Sequence, residues 1–200
     1  SRAASSGAES SQFGMSSTAT VAGDARMRLF VGYPVPASER ATLVRWSGES
    51  FAGLAGARVV PAENLHLTVA FLGSIAAARV EEVCDAVRAA SVGRSGPRFA
   101  SERFRATRSV GMLALRDLDG AGTELAADVQ ARLEALGLYA PERRAWLPHV
   151  TVVRWKERPT RVRTYVPVME ICPSEIAVYL SVLRAGGAQY EPLDSAALGG

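Results

Sequence analysis

The 200-residue chain holds two histidines, His66 and His149, and each opens the same four-residue pattern. His66-Leu67-Thr68-Val69 and His149-Val150-Thr151-Val152 both run imidazole, apolar side chain, hydroxyl, apolar side chain. In an extended strand, side chains alternate between faces, so residues i and i+2 project together. His66 and Thr68 therefore share one face while Leu67 and Val69 turn the other way into a core, and His149 and Thr151 repeat this. Two imidazoles and two hydroxyls facing each other across a groove suit acid–base catalysis. Imidazole titrates near neutrality, so one ring accepts a proton while its twin donates one. At phosphorus that pairing activates the attacking oxygen and protonates the leaving oxygen, and hydroxyls donate to non-bridging oxygens as charge builds. Two His and two Thr are a poor ligand set for zinc, and neither motif contains Asp or Glu, so neither a metal nor any other cofactor is expected. A purely structural pair of histidines leaves the repeated Thr unexplained.

Each motif needs a strand, and the surrounding sequence supplies one. Leu65 to Leu72 reads as a buried strand closed by Gly73, and Pro148 to Val153 as another. A strand at 28–33 ends at Pro34 and Pro36; Ser38 is a candidate N-cap for the helix carrying Leu43, Trp46, Phe51 and Leu54. Val59-Val60 is a short strand. Val80, Val83, Cys84 and Val87 fall at i, i+3, i+4, i+7, which predicts an amphipathic helix over 76–92 with Cys84 as a small buried hydrophobe. Strands at 99–106 and 112–118 precede a second helix marked by Leu125, Val129, Leu133 and Leu136 and ended by Gly137. Strands over 165–171 and 176–183 follow, and Gly186-Gly187 turns the last into a short partner through Tyr190. Strand 28–33, a helix and strand 65–72 match strand 112–118, a helix and strand 148–153. That order predicts an α+β fold of two similar lobes from a duplicated β-α-β unit, with antiparallel sheets around a central groove.

Composition sets wider bounds. Apolar residues at 48% and charged residues at 22% fit a globular chain. No apolar run approaches the roughly 20 residues of a membrane-spanning helix, so no membrane partner is expected. Two cysteines, Cys84 and Cys172, make no disulfide framework, and no basic stretch leads into an apolar core; a cytoplasmic protein is expected. Net charge is +3, and Lys156 is the one Lys beside 22 Arg, a global skew that by itself says little about partners. Residues 1–25 are rich in Ser, Ala, Gly and Thr without periodicity, and are expected to be a disordered tail or sequence foreign to the fold, with Met15 and Met27 both candidate starts. Residues 26–195 form one bilobal domain in this reading, and 196–200 a flexible end. A monomer is expected.

At the two motifs the sequence resembles the two-histidine phosphoesterase superfamily, and within it the bacterial and archaeal RNA 2′,3′-cyclic phosphodiesterases, also called 2′-5′ RNA ligases. Four stretches carry the resemblance: 28–31, 61–73, 148–154, and 178–183 with 186–190. It implies metal-independent hydrolysis of a 2′,3′-cyclic phosphate at an RNA end to a 2′-phosphate. His66 is then the proton donor and His149 the acceptor, Thr68 and Thr151 assist, and ligation to a 5′-hydroxyl is the reverse reaction. A substrate-phosphate arginine is implied at Arg154. Strict alternation points Arg154 away from His149 and Thr151, so it reaches the groove only if the strand bulges or ends after Val153. The stretch from Lys156 to Arg163 is shorter than the helical segment often found there and holds Pro159. Trp146, Trp155 and Phe71 are candidates for stacking on an unpaired base, against packing in the core. The Arg-rich stretches 98–108 and 154–163 are candidates for guiding RNA phosphates, against solvated surface. Two alternatives stay open: a phosphodiesterase for a small 2′,3′-cyclic nucleotide, and a non-catalytic RNA-binding module, against which the intact Thr of both motifs argues.

Overall fold

The computed structural model describes residues 25–162, 164–185 and 187–199; residues 1–24 of the expected tail and one glycine of the expected Gly186-Gly187 turn lie outside them. Nine strands and three helices follow in the order β1 (Arg26–Pro34), α1 (Ala37–Phe51), β2 (Ala57–Val59), β3 (His66–Ala76), α2 (Val80–Ser91), β4 (Phe99–Ala106), β5 (Val110–Asp117), α3 (Ala121–Ala135), β6 (His149–Trp155), β7 (Glu170–Ile171), β8 (Glu175–Arg184) and β9 (Gly187–Ala197). The strands join in one antiparallel sheet of order β7-β4-β5-β6-β3-β1-β8-β9, with β2 paired to β6 beside this path. Reading outward from the centre, β3-β1-β8-β9 mirrors β6-β5-β4-β7. These are the two similar lobes, fused at their inner strands into a single α+β sheet.

The fusion is narrow. β3 meets β6 at the pair Leu67↔Val150, after which β6 pairs with β2 instead. Both residues are fully buried and hold the inner strands of the two lobes together. Strands that touch at one pair and then part leave a groove between them, and both motifs begin at its root. Helices cover the opposite face. α1 buries Leu43, Trp46 and Phe51, and α3 buries Leu125, Val129 and Leu133. α2 turns Val83, Cys84 and Val87 inward. Full burial of one Val or Leu side chain contributes roughly 1.5–3 kcal/mol, so these faces anchor the helices to the sheet.

Several boundaries differ from the sequence reading. β3 runs on to Ala76 because Gly73, at φ +68°, absorbs an irregularity and the ladder to β1 resumes from Leu29↔Gly73 to Arg26↔Ala76. α2 consequently begins at Val80. Pro36 caps α1, and Ser38 lies inside its first turn with its hydroxyl on the Glu39 carboxylate. The strand expected over 165–171 reduces to Glu170–Ile171. Pro167 offers no N–H, and the Tyr165 carbonyl accepts instead from Trp46 Nε1 at 2.8 Å. β9 is long, running to Ala197, and Leu198 is buried with its N–H on the Ser174 carbonyl, so the chain is held where a free end was expected from residue 196. Gly137, at φ +67°, ends α3 as expected, with Leu138 N–H returning to the Leu133 carbonyl.

Candidate active site

The two motifs adopt matching geometry. Along His66–Phe71 and along His149–Arg154, the residues run half-buried, buried, half-buried, buried, buried, exposed. Two consecutive buried residues break strict alternation, and the ladders show why. Gly32 pairs with Thr68 and Val31 with Ala70, leaving Val69 as an extra residue; Met112 pairs with Thr151 and Gly111 with Val153, leaving Val152 as its counterpart. A bulge after each His-x-Thr thus returns the sixth residue, Phe71 or Arg154, to the face of the histidine. The condition set for Arg154 is met: it is exposed and lines the groove beside Thr151.

Each imidazole is held in the same way. His66 Nδ1 lies 2.8 Å from the Asn64 carbonyl, and His149 Nδ1 lies 2.8 Å from the Leu147 carbonyl. A carbonyl only accepts, so Nδ1 carries the hydrogen in both rings and the neutral tautomer keeps its lone pair on Nε2. His66 Nε2 is 3.0 Å from Thr68 Oγ1. The antiparallel register through Leu67↔Val150 sets the His66 position towards Thr151 and the Thr68 position towards His149.

A groove of about 780 Å³ opens over this root. His66, Thr68, Thr151, Arg154 and Phe71 line it; His149 is half-buried beside them and is not part of its wall. Its cations are Arg28, Arg58, Arg154 and Lys156, and no carboxylate lines it among the described residues. Burial pushes His66 down to about 4, the hydrogen bond to Asn64 opposes this, and the charges of His149 and Arg154 push further in the same direction. The two rings therefore lie within electrostatic reach of each other.

The burial has an aromatic source absent from the sequence reading. The Phe30 ring lies 4.6 Å from that of His66, Tyr190 meets the imidazole edge-on at 5.1 Å, and Tyr179 stacks on Phe30 at 4.9 Å with its ring 6.3 Å from that of His66. Three strands contribute one aromatic each, so no local spacing announces the cluster. Of the aromatics singled out from sequence, Phe71 remains in the open groove, 48% exposed, with the Arg28 guanidinium 4.9 Å from its ring centre. Trp155 is buried at the groove wall, its Nε1 donating to the Thr107 carbonyl. Trp146 donates to the Thr68 carbonyl at 2.8 Å and packs towards Tyr33 and Phe99. The two Arg-rich stretches part company. Arg98 and Arg103 pair with Glu170 and Glu102, while Arg154 and Lys156 line the groove.

Comparison with known proteins points one way. Residues 34–111 match the family model described as LigT like Phosphoesterase. An RNA 2′,3′-cyclic phosphodiesterase of Escherichia coli K12 is 26% identical over 174 residues, 86% of this chain and 96% of that protein. A protein of the same description from Geobacillus stearothermophilus is 26% identical over 141 residues, 64% of this chain and 42% of the relative, so the match spans less than half of that longer protein. The crystal structure of E. coli LigT complexed with 3′-AMP superposes with a TM-score of 0.76 at 25% identity, covering 87% of this chain and 99% of that one.

Proposed function

We propose that this chain, LigT-like in sequence and in fold, hydrolyses 2′,3′-cyclic phosphates at RNA ends to 2′-phosphates, with His66 and His149 as the acid–base pair. The observation that carries this is the duplicated holding of the two rings. Each Nδ1–H is fixed on the carbonyl two residues earlier, which leaves Nε2 as the proton-exchanging nitrogen of each ring; in the free protein His66 Nε2 accepts from Thr68 Oγ1, a contact that bound substrate would displace. In this reading His149 takes a proton from water as its oxygen attacks phosphorus, the bond from phosphorus to the 3′ oxygen breaks, and His66 protonates that oxygen. Thr68 and Thr151 donate to the non-bridging oxygens, and Arg154 pairs with the phosphate charge. Phe71 offers a ring face to the terminal base. None of these groups needs a metal ion for its part, and the reverse reaction joins the cyclic end to a 5′-hydroxyl.

The electrostatics fit the donor role once substrate is bound. In the free protein His66 is neutral at pH 7 because of its burial. An anionic phosphate beside the ring favours the imidazolium and opposes that shift. Proton uptake then accompanies binding, and the proton is in place for the leaving oxygen.

The test compares turnover with folding. Replacing His66 or His149 by Ala is expected to lower turnover of an RNA cyclic phosphate by roughly 10²–10⁴-fold. Thr68→Ala and Thr151→Ala are expected to cost less, about 1.5–3 kcal/mol each in the barrier. The thermal midpoint should move little for the His149 variant. Unchanged hydrolysis in either histidine variant would remove the acid–base reading and leave the motifs as structural.

A further inference from the structure

Beyond the reacting phosphate, the groove carries cations that the chemistry above does not use. Arg58 on β2 is the cross-strand partner of Arg154 on β6, and Lys156 follows directly after β6. All three are exposed and line the same groove. Like charges directly opposite on neighbouring strands destabilise a sheet, and a carboxylate normally relieves them. Here none does: the ion pairs among the described residues involve other arginines, and the groove wall has no acid. Arg58 also reaches β9. Its guanidinium lies across Gly187 at the start of β9, where a Cβ would sit 1.8 Å from Nη2 and the backbone has φ +122°. Glycine leaves the room that lets this arginine rest against the β8–β9 hairpin at the groove mouth.

We propose that Arg58 and Lys156 form a second anion subsite that takes backbone phosphates of an RNA strand upstream of its cyclic end. The inference rests on the cyclic-phosphate reading and deepens it: the substrate is an oligonucleotide, and a cyclic mononucleotide fills only part of the groove. A guanidinium on β2 and an ammonium just after β6 supply charge without reading bases, so affinity gained here depends on salt and not on sequence.

The experiment measures kcat/KM for a 2′,3′-cyclic mononucleotide and for a trinucleotide ending in a 2′,3′-cyclic phosphate, over a salt series. Wild type, Arg58→Ser, Lys156→Ser and Arg58→Lys are compared. Wild type is expected to prefer the trinucleotide by more than about tenfold at low salt, with the steeper salt slope. Each Ser variant should shrink that preference and flatten the trinucleotide slope by about 0.7 per charge removed, and Arg58→Lys should restore most of the slope. An unchanged preference and slope, or an equal loss on both substrates, would overturn the subsite. Should wild type turn over neither substrate, the cyclic-phosphate reading fails by itself. Anisotropy of a labelled trinucleotide then decides the subsite: weaker, less salt-dependent binding by Arg58→Ser sustains it, and unchanged binding overturns it.

Discussion

The least ordinary single residue is His66. Its ring is hydrogen-bonded at both nitrogens and walled by Phe30 and Tyr190, whereas His149 has the same backbone anchor without that wall among the described contacts. The asymmetry has a consequence for stability. His66 falls from its usual 6.5 to about 4 on folding. Between those values the unfolded chain binds a proton that the folded chain refuses. Stability is therefore complete above about pH 6.5 and declines as pH falls towards 4. Replacing the ring by an uncharged side chain removes this contribution. Urea unfolding at pH 7.5 and 4.5 should show a wild-type loss larger than that of His66→Gln by on the order of 2 kcal/mol. Equal losses in the two proteins would mean that the ring titrates freely in the folded state.

At the scale of elements, the bulges decide what the groove contains. Without Val69 and Val152 as extra residues, Phe71 and Arg154 could not share a face with the histidines. Gly32 guards the first bulge: a Cβ there would lie 2.7 Å from the Leu67 carbonyl, between His66 and Thr68. Gly32→Ala must push β3 at the motif itself. It is expected to cost about 1–3 kcal/mol in denaturant unfolding and to lower turnover at least tenfold in the fraction that stays folded. Turnover equal to wild type would show that the motif tolerates displacement. This scale also divides what the sequence reveals from what it hides. The His-x-Thr pair is legible because a period of two assigns its faces, and α2 and α3 because their apolar residues recur at helical spacing. A bulge at valine has no such signal, since Val69 and Val152 look like any strand residue. The Phe30–Tyr179–Tyr190 wall and the Arg58–Arg154 pair arise from ladder register between distant segments, which local patterning does not contain.

For the whole molecule, the mirrored strand orders around β3 and β6 explain why two distant motifs form one site. A pseudo-two-fold brings equivalent residues to the centre with equivalent tethers, and the sequence differences between the lobes then specialise them. Phe71 and Arg154 occupy matching positions, so one side of the groove presents an aromatic ring and the other a cation. In the reading proposed above, this arrangement works by proton transfer and hydrogen bonds in place of a Lewis acid. The most direct measurement incubates the protein, in excess EDTA, with a short RNA ending in a 2′,3′-cyclic phosphate and identifies the position of the product's phosphate. The account predicts undiminished turnover to a 2′-phosphate. A 3′-phosphate product, or turnover abolished by EDTA and restored by zinc or manganese, would contradict it.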